Sequence, residues 1–492
     1  MIGSIPIFLL FCFFQPDHSG LVEQVLGLCP NATVVATKVA LSFLSNLAHL
    51  KYKTMVAGAD TELDLGNGHL LKFVMAPNLH WPDTMFTFDT ASNILFTCDA
   101  FGQHYCTDTT YDADLPTFLP HFRFYYECLM RPNSRSLLNA LKKIKELPYT
   151  TIACGHGPLL KFNVGELVSN YKTWTEASTK ADACVSIFYA NDYGFSDRLS
   201  QSLARGITKT GVAVEMHNLT SLEPQELAEI VGRSSGLVLM SPPSGSDAAK
   251  IIGNILAAAN NKQKVLVAES YGGQDEPVDT LGDMFVKVSV EMALPPLRVR
   301  ATPTAATYQE FEETGTDFGQ VLNKKATIAR QKAAMSNDVA KALARVSGGL
   351  YVVTAAQGGA KSAMVASWVS QASFEPLGVT IAVAKDRAIE SLMQVGDRFV
   401  LNCLEEQKYS ALLKHFLKRF PPGADRFEGV AWRAADNGSP VLLEALAYME
   451  CKVVSRMEGP DHWIVYSQVE DGAVANSDGK TAVHSRKVAN YY

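Results

Sequence analysis

The stretch CVSIFYANDYGFSDRLSQSLARGITKTG, residues 184–211, decides the fold. Cys184–Ala190 is a short apolar run, the pattern of a buried strand. A polar turn containing one glycine follows, Asn191-Asp192-Tyr193-Gly194-Phe195-Ser196. Leu199, Leu203 and Ile207 then recur at four-residue steps, so Ser196–Thr210 reads as a helix with Gly211 closing it. A strand that feeds a helix in this way opens a parallel sheet.

The same alternation continues to about residue 308. Val212–Leu219, Gly236–Met240, Lys264–Glu269 and Arg298–Thr302 read as further strands. Pro224–Val231, Asp247–Ala259 and Val278–Met292 read as the helices between them. Five strands with intervening helices predict a doubly wound parallel sheet, residues 183–308, with ligands beyond the carboxyl ends of the strands. Three loops sit at those ends: 191–196, Ser241-Pro242-Pro243-Ser244-Gly245, and Ser270-Tyr271-Gly272-Gly273. The first leads into a helix whose N–H groups suit a phosphate, with the Ser196 hydroxyl beside them. There is no G-x-G-x-x-G, which argues for a mononucleotide over a dinucleotide.

Upstream, residues 1–177 hold strand-like runs at Leu70–Met75 and Ile94–Cys98. They also hold one amphipathic helix marked by Leu137, Leu138, Leu141, Ile144 and Leu147. Polar residues with chemical capacity sit at turns, next to Gly and Pro: Asp17-His18-Ser19-Gly20, His80 before Trp81-Pro82, Asp99 after an apolar run, and His156 between two glycines. Three histidines and two carboxylates in such places suit a two-metal oxygen/nitrogen site. Singly, each is weak, since a lone loop histidine is usually just exposed. Downstream, 309–333 is a polar linker that becomes helical. Residues 334–492 are strand-rich, with runs at Leu350–Ala355, Ala363–Val369, Val379–Val383, Phe399–Leu404, Ala447–Val454 and Trp463–Val469, and a helix at Ala411–Phe420. That block predicts a small barrel with helical insertions.

Bulk properties narrow the function classes. The 492 residues carry a formal net charge of -6, 47% hydrophobic and 19% charged residues, ordinary for a globular chain of about three domains. No long basic block suggests nucleic acid. None of the nine cysteines forms a C-x-x-C pair, which argues against a zinc ribbon, a rubredoxin-type site and a thioredoxin-like motif and fits a reducing compartment. Ile5–Phe14 is almost wholly apolar, yet too short to span a bilayer as a helix, which takes roughly 20 residues. It also lacks the basic start and small-residue cleavage site of a signal peptide. Phe, Leu and Cys codons are pyrimidine-rich and Gln can be CAG, so FLLFCFFQ reads as a splice acceptor. Residues 1–15 are expected to be translated intron.

Taken in order, these residues resemble the three-domain flavodiiron proteins of oxygenic phototrophs. The resemblance implies a multidomain α/β and β chain: a partial metallo-β-lactamase-like αββα domain, a flavodoxin-like doubly wound parallel sheet, and a flavin reductase-like split β-barrel. It implies FMN at Asn191, Tyr193, Gly194 and Ser196, with Ser241, Pro242, Ser270, Tyr271 and Gly272 around the ring. Asn191 stands where flavodoxins usually have Ser or Thr, and Gly273 where many have a stacking aromatic. The family's ligand run, His-x-Glu-x-Asp-His-Ser-Gly, ends here in Asp17 and His18. His80, the metal-bridging Asp99 and His156 follow. Phe13 and Gln15 replace the family's His and Glu, so one iron keeps Asp17, His18, Asp99 and His156 while the other keeps only His80 and Asp99. Several strands that precede the run in the family are missing, which should leave an exposed sheet edge. A metallohydrolase of the same fold would favour His-x-His-x-Asp-His, which is not present either.

In the barrel, the resemblance points to Ala366–Ser373, with Ser367 and Ser370 meeting a flavin. Asp461-His462-Trp463 and His484-Ser485-Arg486-Lys487 add polar and basic groups at the barrel mouth. The implied activity takes electrons from NAD(P)H or ferredoxin through FMN to two non-haem irons that reduce dioxygen to water. Donor identity, and dioxygen against nitric oxide, stay open. A head-to-tail homodimer or a hetero-oligomer is implied, in the chloroplast stroma, as an electron outlet downstream of photosystem I. A second reading is a metal-deficient flavin-relay or structural partner subunit.

Overall fold

A computed structural model describes residues 7–12, 16–179, 183–189, 196–219, 222, 224–240, 248–270, 280–299, 302–418, 420 and 423–486. The chain divides into two compact units, residues 1–191 with 213–227, and 192–212 with 228–492. No described helix is long and apolar enough to cross a membrane.

The first unit opens with a parallel sheet in the order β1-β2-β3: β1 (Phe8–Leu10), β2 (Thr33–Ala36) and β3 (Lys53–Val56). Phe8–Leu10 of the apolar N-terminal run is therefore a strand of this sheet. Phe8 pairs with Thr33 and Leu10 with Val35, and the buried Phe11 donates its N–H to Val35 O at 3.0 Å. β1 is the terminal strand, with no partner on its outer edge among the described residues. Helices Val22–Leu28 and Lys38–Leu47 cover this sheet, burying Val22, Leu26, Ala40 and Leu44. The second helix starts at Thr37, whose hydroxyl accepts the Ala40 N–H at 3.1 Å.

A second sheet runs β4 (Glu62–Asp64), β5 (Leu70–Met75), β6 (Met85–Asp89), β7 (Ile94–Cys98) and β8 (Thr151–Cys154), in that order. Its pairs are antiparallel except β7–β8, which is parallel. The parallel pair positions the chemistry. Cys98 lies opposite Cys154, so Asp99 and Gly155-His156 leave the sheet at the same end. Helix Ser134–Ile144 buries Leu137, Leu141 and Ile144 as its three- and four-residue spacing requires.

The α/β sheet contains β9 (Cys184–Tyr189), β10 (Ala213–Asn218), β11 (Gly236–Met240), β12 (Lys264–Ser270), β13 (Glu291–Met292) and β14 (Leu297–Val299). The order is β10-β9-β11-β12-β13, with β14 also beside β12. That is the doubly wound order of the flavodoxin type. Gly211 closes the first helix with φ +81°. The expected helix Val278–Met292 is shorter than the sequence suggested. It spans Thr280–Lys287, Ser289 turns the chain at φ +62°, and Glu291–Met292 becomes β13. The last strand starts a residue earlier than expected, at Leu297.

In the second unit the polar stretch 309–333 lies inside one helix, Ala305–Met335. It crosses helix Ser196–Lys209 at backbone contact. A Cβ on Gly206 would stand 1.9 Å from Glu312 O, and one on Gly315 would stand 2.1 Å from Leu203 O. A buried charge cluster flanks the crossing. Lys209 pairs with Glu312 and, at 2.6 Å, with Glu390, while Arg456 pairs with Glu390 and lies 4.2 Å over the Trp463 ring.

The barrel comprises β15 (Gly348–Gly349), β16 (Tyr351–Gln357), β17 (Ala360–Ala366), β18 (Val369–Phe374), β19 (Leu377–Ala384), β20 (Arg398–Cys403), β21 (Trp432–Ala434), β22 (Pro440–Leu442), β23 (Ala447–Glu458), β24 (His462–Val474) and β25 (Val483–His484). Seven strands pair antiparallel in the order β17-β16-β20-β23-β24-β19-β18, so β17 and β18 are the two ends of the sheet. The expected strand Ala363–Val369 is broken at Ser367-Trp368, the bend between β17 and β18. The insertion helix spans Ser410–Leu417.

Candidate functional site

Five side chains converge beyond the β7–β8 sheet end. Asp17 and His18 come from the short helix Pro16–Ser19, His80 from the turn before β6, Asp99 from the end of β7 and His156 from the end of β8. Asp99 is 1% exposed and divides its oxygens. Oδ2 meets His80 Nε2 at 2.8 Å, while Oδ1 meets His18 Nε2 at 3.2 Å and His156 Nε2 at 3.3 Å. Asp17 Oδ2 lies 3.5 Å from His18 Nε2 and 3.3 Å from His156 Nε2.

These spacings carry chemical meaning. Ligands about 2.0–2.1 Å from a tetrahedral metal stand about 3.3–3.4 Å from one another. Asp17 Oδ2, His18 Nε2 and His156 Nε2 stand close to that edge length from one another, and Asp99 Oδ1 keeps the same spacing to the two imidazoles. Asp99 Oδ1, buried among them, makes no hydrogen bond among the described residues. Gly155 keeps the cradle open, since a Cβ there would stand 2.6 Å from His18 Cε1. The residues fit one cation. Around the other oxygen of Asp99 the described set is smaller, with His80 alone in contact. No metal-capable cluster of three includes His80 among the described residues. Phe13 and Gln15 lie outside the described residues.

Electrostatics agree with this geometry. Burial alone would raise the Asp99 carboxyl, but the imidazoles of His156, His18 and His80 hold it well below the usual carboxylate range. The Asp99 carboxylate in turn raises His156, against the pull of burial. Backbone strain clusters here too. Asn78, Cys98 and Phe101 all have positive φ, at 64°, 53° and 67°, a costly conformation for non-glycine residues that persists where the surroundings impose it.

Tyr125 was not singled out from the sequence, yet it faces this site. Its ring lies 6.2 Å from that of His156 and 4.9 Å from that of His104. The hydroxyl is buried without a hydrogen-bond partner among the described residues. Burial and the Asp99 charge push its pKa far above the usual phenol range, so it stays protonated.

The expected mononucleotide loops fall mostly outside the described residues: Asn191, Tyr193, Gly194, Ser241, Pro242, Tyr271 and Gly272. Ser196 is described as the first residue of the 14-residue helix Ser196–Lys209, with its carbonyl accepting the Ser200 hydroxyl at 2.6 Å. Ser270 ends β12, paired with Val299.

In the barrel the two expected serines part company. Ser367, at the β17–β18 bend, is 3% exposed, and its hydroxyl has no partner among the described residues. Ser370 is exposed on β18 and donates to Gln371 O at 3.2 Å. Beside Ser367, the Trp368 ring lies 4.8 Å from that of His462, and the Arg486 guanidinium lies 5.1 Å from the Trp368 ring. β15 pairs with β25, setting Gly348 opposite His484 and bringing that tail to the same bend. Burial and Arg486 both lower the His484 pKa. Lys487 lies outside the described residues.

Residues 6–157 match the ODP family beta lactamase model, and residues 343–491 match the flavin reductase like domain. The chain is 56% identical over 488 residues to diflavin flavoprotein A 1 of Synechocystis sp., covering 99% of this chain and 85% of that protein. It is 54% identical over 490 residues to putative diflavin flavoprotein A 3 of Nostoc sp., with the same coverage. Among solved structures, a metal-soaked flavodiiron core from Synechocystis sp. PCC6803 matches with a TM-score of 0.62 and 32% identity, covering 65% of this chain and 81% of that one.

Proposed function

The chain belongs to the cyanobacterial-type flavodiiron family of diflavin flavoproteins, and from that premise we propose that it is an oxidoreductase passing electrons through FMN to a metal centre that reduces dioxygen to water. What carries the reading is the grouping of Asp17, His18 and His156 at ligand-to-ligand spacing, with Asp99 Oδ1 against both imidazoles. Iron held there would supply electrons and Lewis acidity for dioxygen reduction, and FMN would relay the electrons one at a time. The protein's own part is positional. Asp99 holds the two imidazoles His18 and His156 on one oxygen and His80 on the other. Tyr125 keeps its proton on its phenol within the same pocket, where the hydroxyl can donate a hydrogen bond.

Electrons would enter at the barrel, from NAD(P)H or ferredoxin, at a flavin resting near Ser367, Trp368 and Arg486. FMN would sit at the loops after β9, β11 and β12. The physiological setting we propose is the chloroplast stroma, as an electron outlet downstream of photosystem I. The active form would be a head-to-tail homodimer or a hetero-oligomer. A second reading, a flavin-relay partner subunit with a deficient metal site, is favoured by one observation: among the described residues His80 shares the outer oxygen of Asp99 with no third donor.

The experiment is dioxygen uptake by the chain loaded anaerobically with FMN and ferrous iron, with NADPH or NADH as donor. Uptake without peroxide release, at two reduced nucleotides per dioxygen, supports the oxidase. Nucleotide oxidation that leaves dioxygen untouched, and that transfers electrons only to an added related subunit, supports the relay reading.

A further inference from the structure

We propose that Cys12 and Cys98 form an oxidisable thiol pair, a modification site beside the metal pocket that hydrogen peroxide converts to a disulfide. The two thiols lie far apart in sequence, but β6 brings them together. The N–H of Met85 donates to Cys12 O at 2.8 Å, and Met85 O takes the Cys98 thiol at 3.7 Å. The Cys12 thiol also meets the Thr87 hydroxyl at 3.5 Å, and Cys12 packs in one cluster with Cys98. Trp81 packs against the pair, with Phe43 edge-on to its ring at 6.4 Å. Both cysteines are free.

The chemistry needs one co-reactant, a peroxide. Cys12 is the more exposed of the two, so its sulfur attacks one peroxide oxygen, the O–O bond breaks, and water leaves as a sulfenic acid forms. The Cys98 sulfur then attacks that sulfur, the S–O bond breaks, and a second water leaves. Two thiols and one peroxide become one disulfide and two waters. Two cysteines packed in one cluster and both bonded to Met85 need a small closure to reach the S–S length of about 2.05 Å.

The position gives the bond a consequence. Cys98 immediately precedes Asp99, and its carbonyl accepts the Gly155 N–H at 2.6 Å, next to His156. Cys12 leads by four residues into Pro16-Asp17-His18. A disulfide would therefore tether the segment that carries Asp17 and His18 to the one that carries Asp99. A crosslink of this kind suppresses local opening, so the oxidised chain should release its metal more slowly. Only this tether rests on the metal reading. The disulfide itself does not.

The test is peroxide treatment of the folded, metal-free chain, followed by alkylation, digestion and mass analysis. A Cys12–Cys98 linked peptide, absent in Cys12→Ser and Cys12→Ala, is the expected result. Both thiols alkylated as free, or Cys12 oxidised further without a link, or links made elsewhere among the other seven cysteines, would overturn the proposal. Cobalt(II) release to a chelator then reads the tether. It should slow several-fold in the oxidised chain and stay unchanged in peroxide-treated Cys12→Ser. Equal rates in both would overturn the tether while leaving the disulfide standing.

Discussion

Nε2 of His18 and Nε2 of His156 lie 3.2 Å apart, with their rings at 83°. Two neutral imidazoles in that relation would have to share a single proton, yet each also has a carboxylate oxygen of Asp17 and of Asp99 within 3.5 Å. The lone-pair donors of Asp17, His18 and His156 at this spacing are stabilised by a cation between them, with Asp99 Oδ1 beside both imidazoles. The parallel pairing of β7 with β8 delivers Asp99 and His156, and the short helix Pro16–Ser19 delivers Asp17 and His18.

Tyr125→Phe separates chemistry from structure. Phe keeps the volume and removes a buried hydroxyl that has no partner among the described residues, so thermal stability should hold or rise slightly. Metal and flavin content should not change. Dioxygen turnover should fall by about 10-fold, the equivalent of one lost hydrogen bond of about 1.4 kcal/mol. A variant with full turnover would remove Tyr125 from the proposed chemistry.

Glu390→Gln tests the charge cluster. Burial alone would raise the Glu390 carboxyl, but Lys209 and Arg456 reverse this and lower it from 4.5 to about 2. A depressed carboxylate contributes stability above its unfolded pKa and loses it as pH falls through the folded one. The contribution, about 3 kcal/mol, should therefore be present above pH about 4.5 and vanish toward pH about 2. The variant should lose about 3–5 kcal/mol at neutral pH, because Arg456 and Lys209 lose a buried partner. Its stability should also vary less between pH 5 and 3 than that of the wild type. Denaturant melts across that range read both effects.

Gly206→Ala and Gly315→Ala test the helix crossing. Each added Cβ would strike a carbonyl of the facing helix, at 1.9 and 2.1 Å, and backbone cannot swing aside as a side chain can. Each should destabilise by several kcal/mol, above the ordinary range of about 1–3 for overpacking. Gly253→Ala, where a Cβ meets nothing within 4 Å, is the control and should be neutral or mildly stabilising.

Much of this was legible in the sequence because local pattern and tertiary role agreed. The alternation from Cys184 to Val299 predicts the parallel sheet, and Gly211 marks its first helix end. Asp17, His18, Asp99 and His156 stood out because they sit at strand ends and turns among Gly and Pro. Other features lacked a local signature. Tyr125 lies in an aromatic run with Phe122, Phe124 and Tyr126, where composition cannot tell a site residue from core. The polar stretch 309–333 reads as a connector because its apolar face is narrow. Its packing signal is Gly315-x-x-x-Gly319 with Gly206 opposite, a spacing that lets backbones touch. Ile5–Phe14 reads as extraneous by composition, yet Phe8–Leu10 pairs with β2 because a terminal strand can be uniformly apolar.

The most direct measurement is iron and FMN per chain after anaerobic loading, for the wild type and for His156→Ala. The expected result is stoichiometric FMN in both, with at least one tightly held iron in the wild type and none in the variant. Iron at background in the wild type, or iron retained in full by His156→Ala, would contradict the metal centre assigned to Asp17, His18, Asp99 and His156.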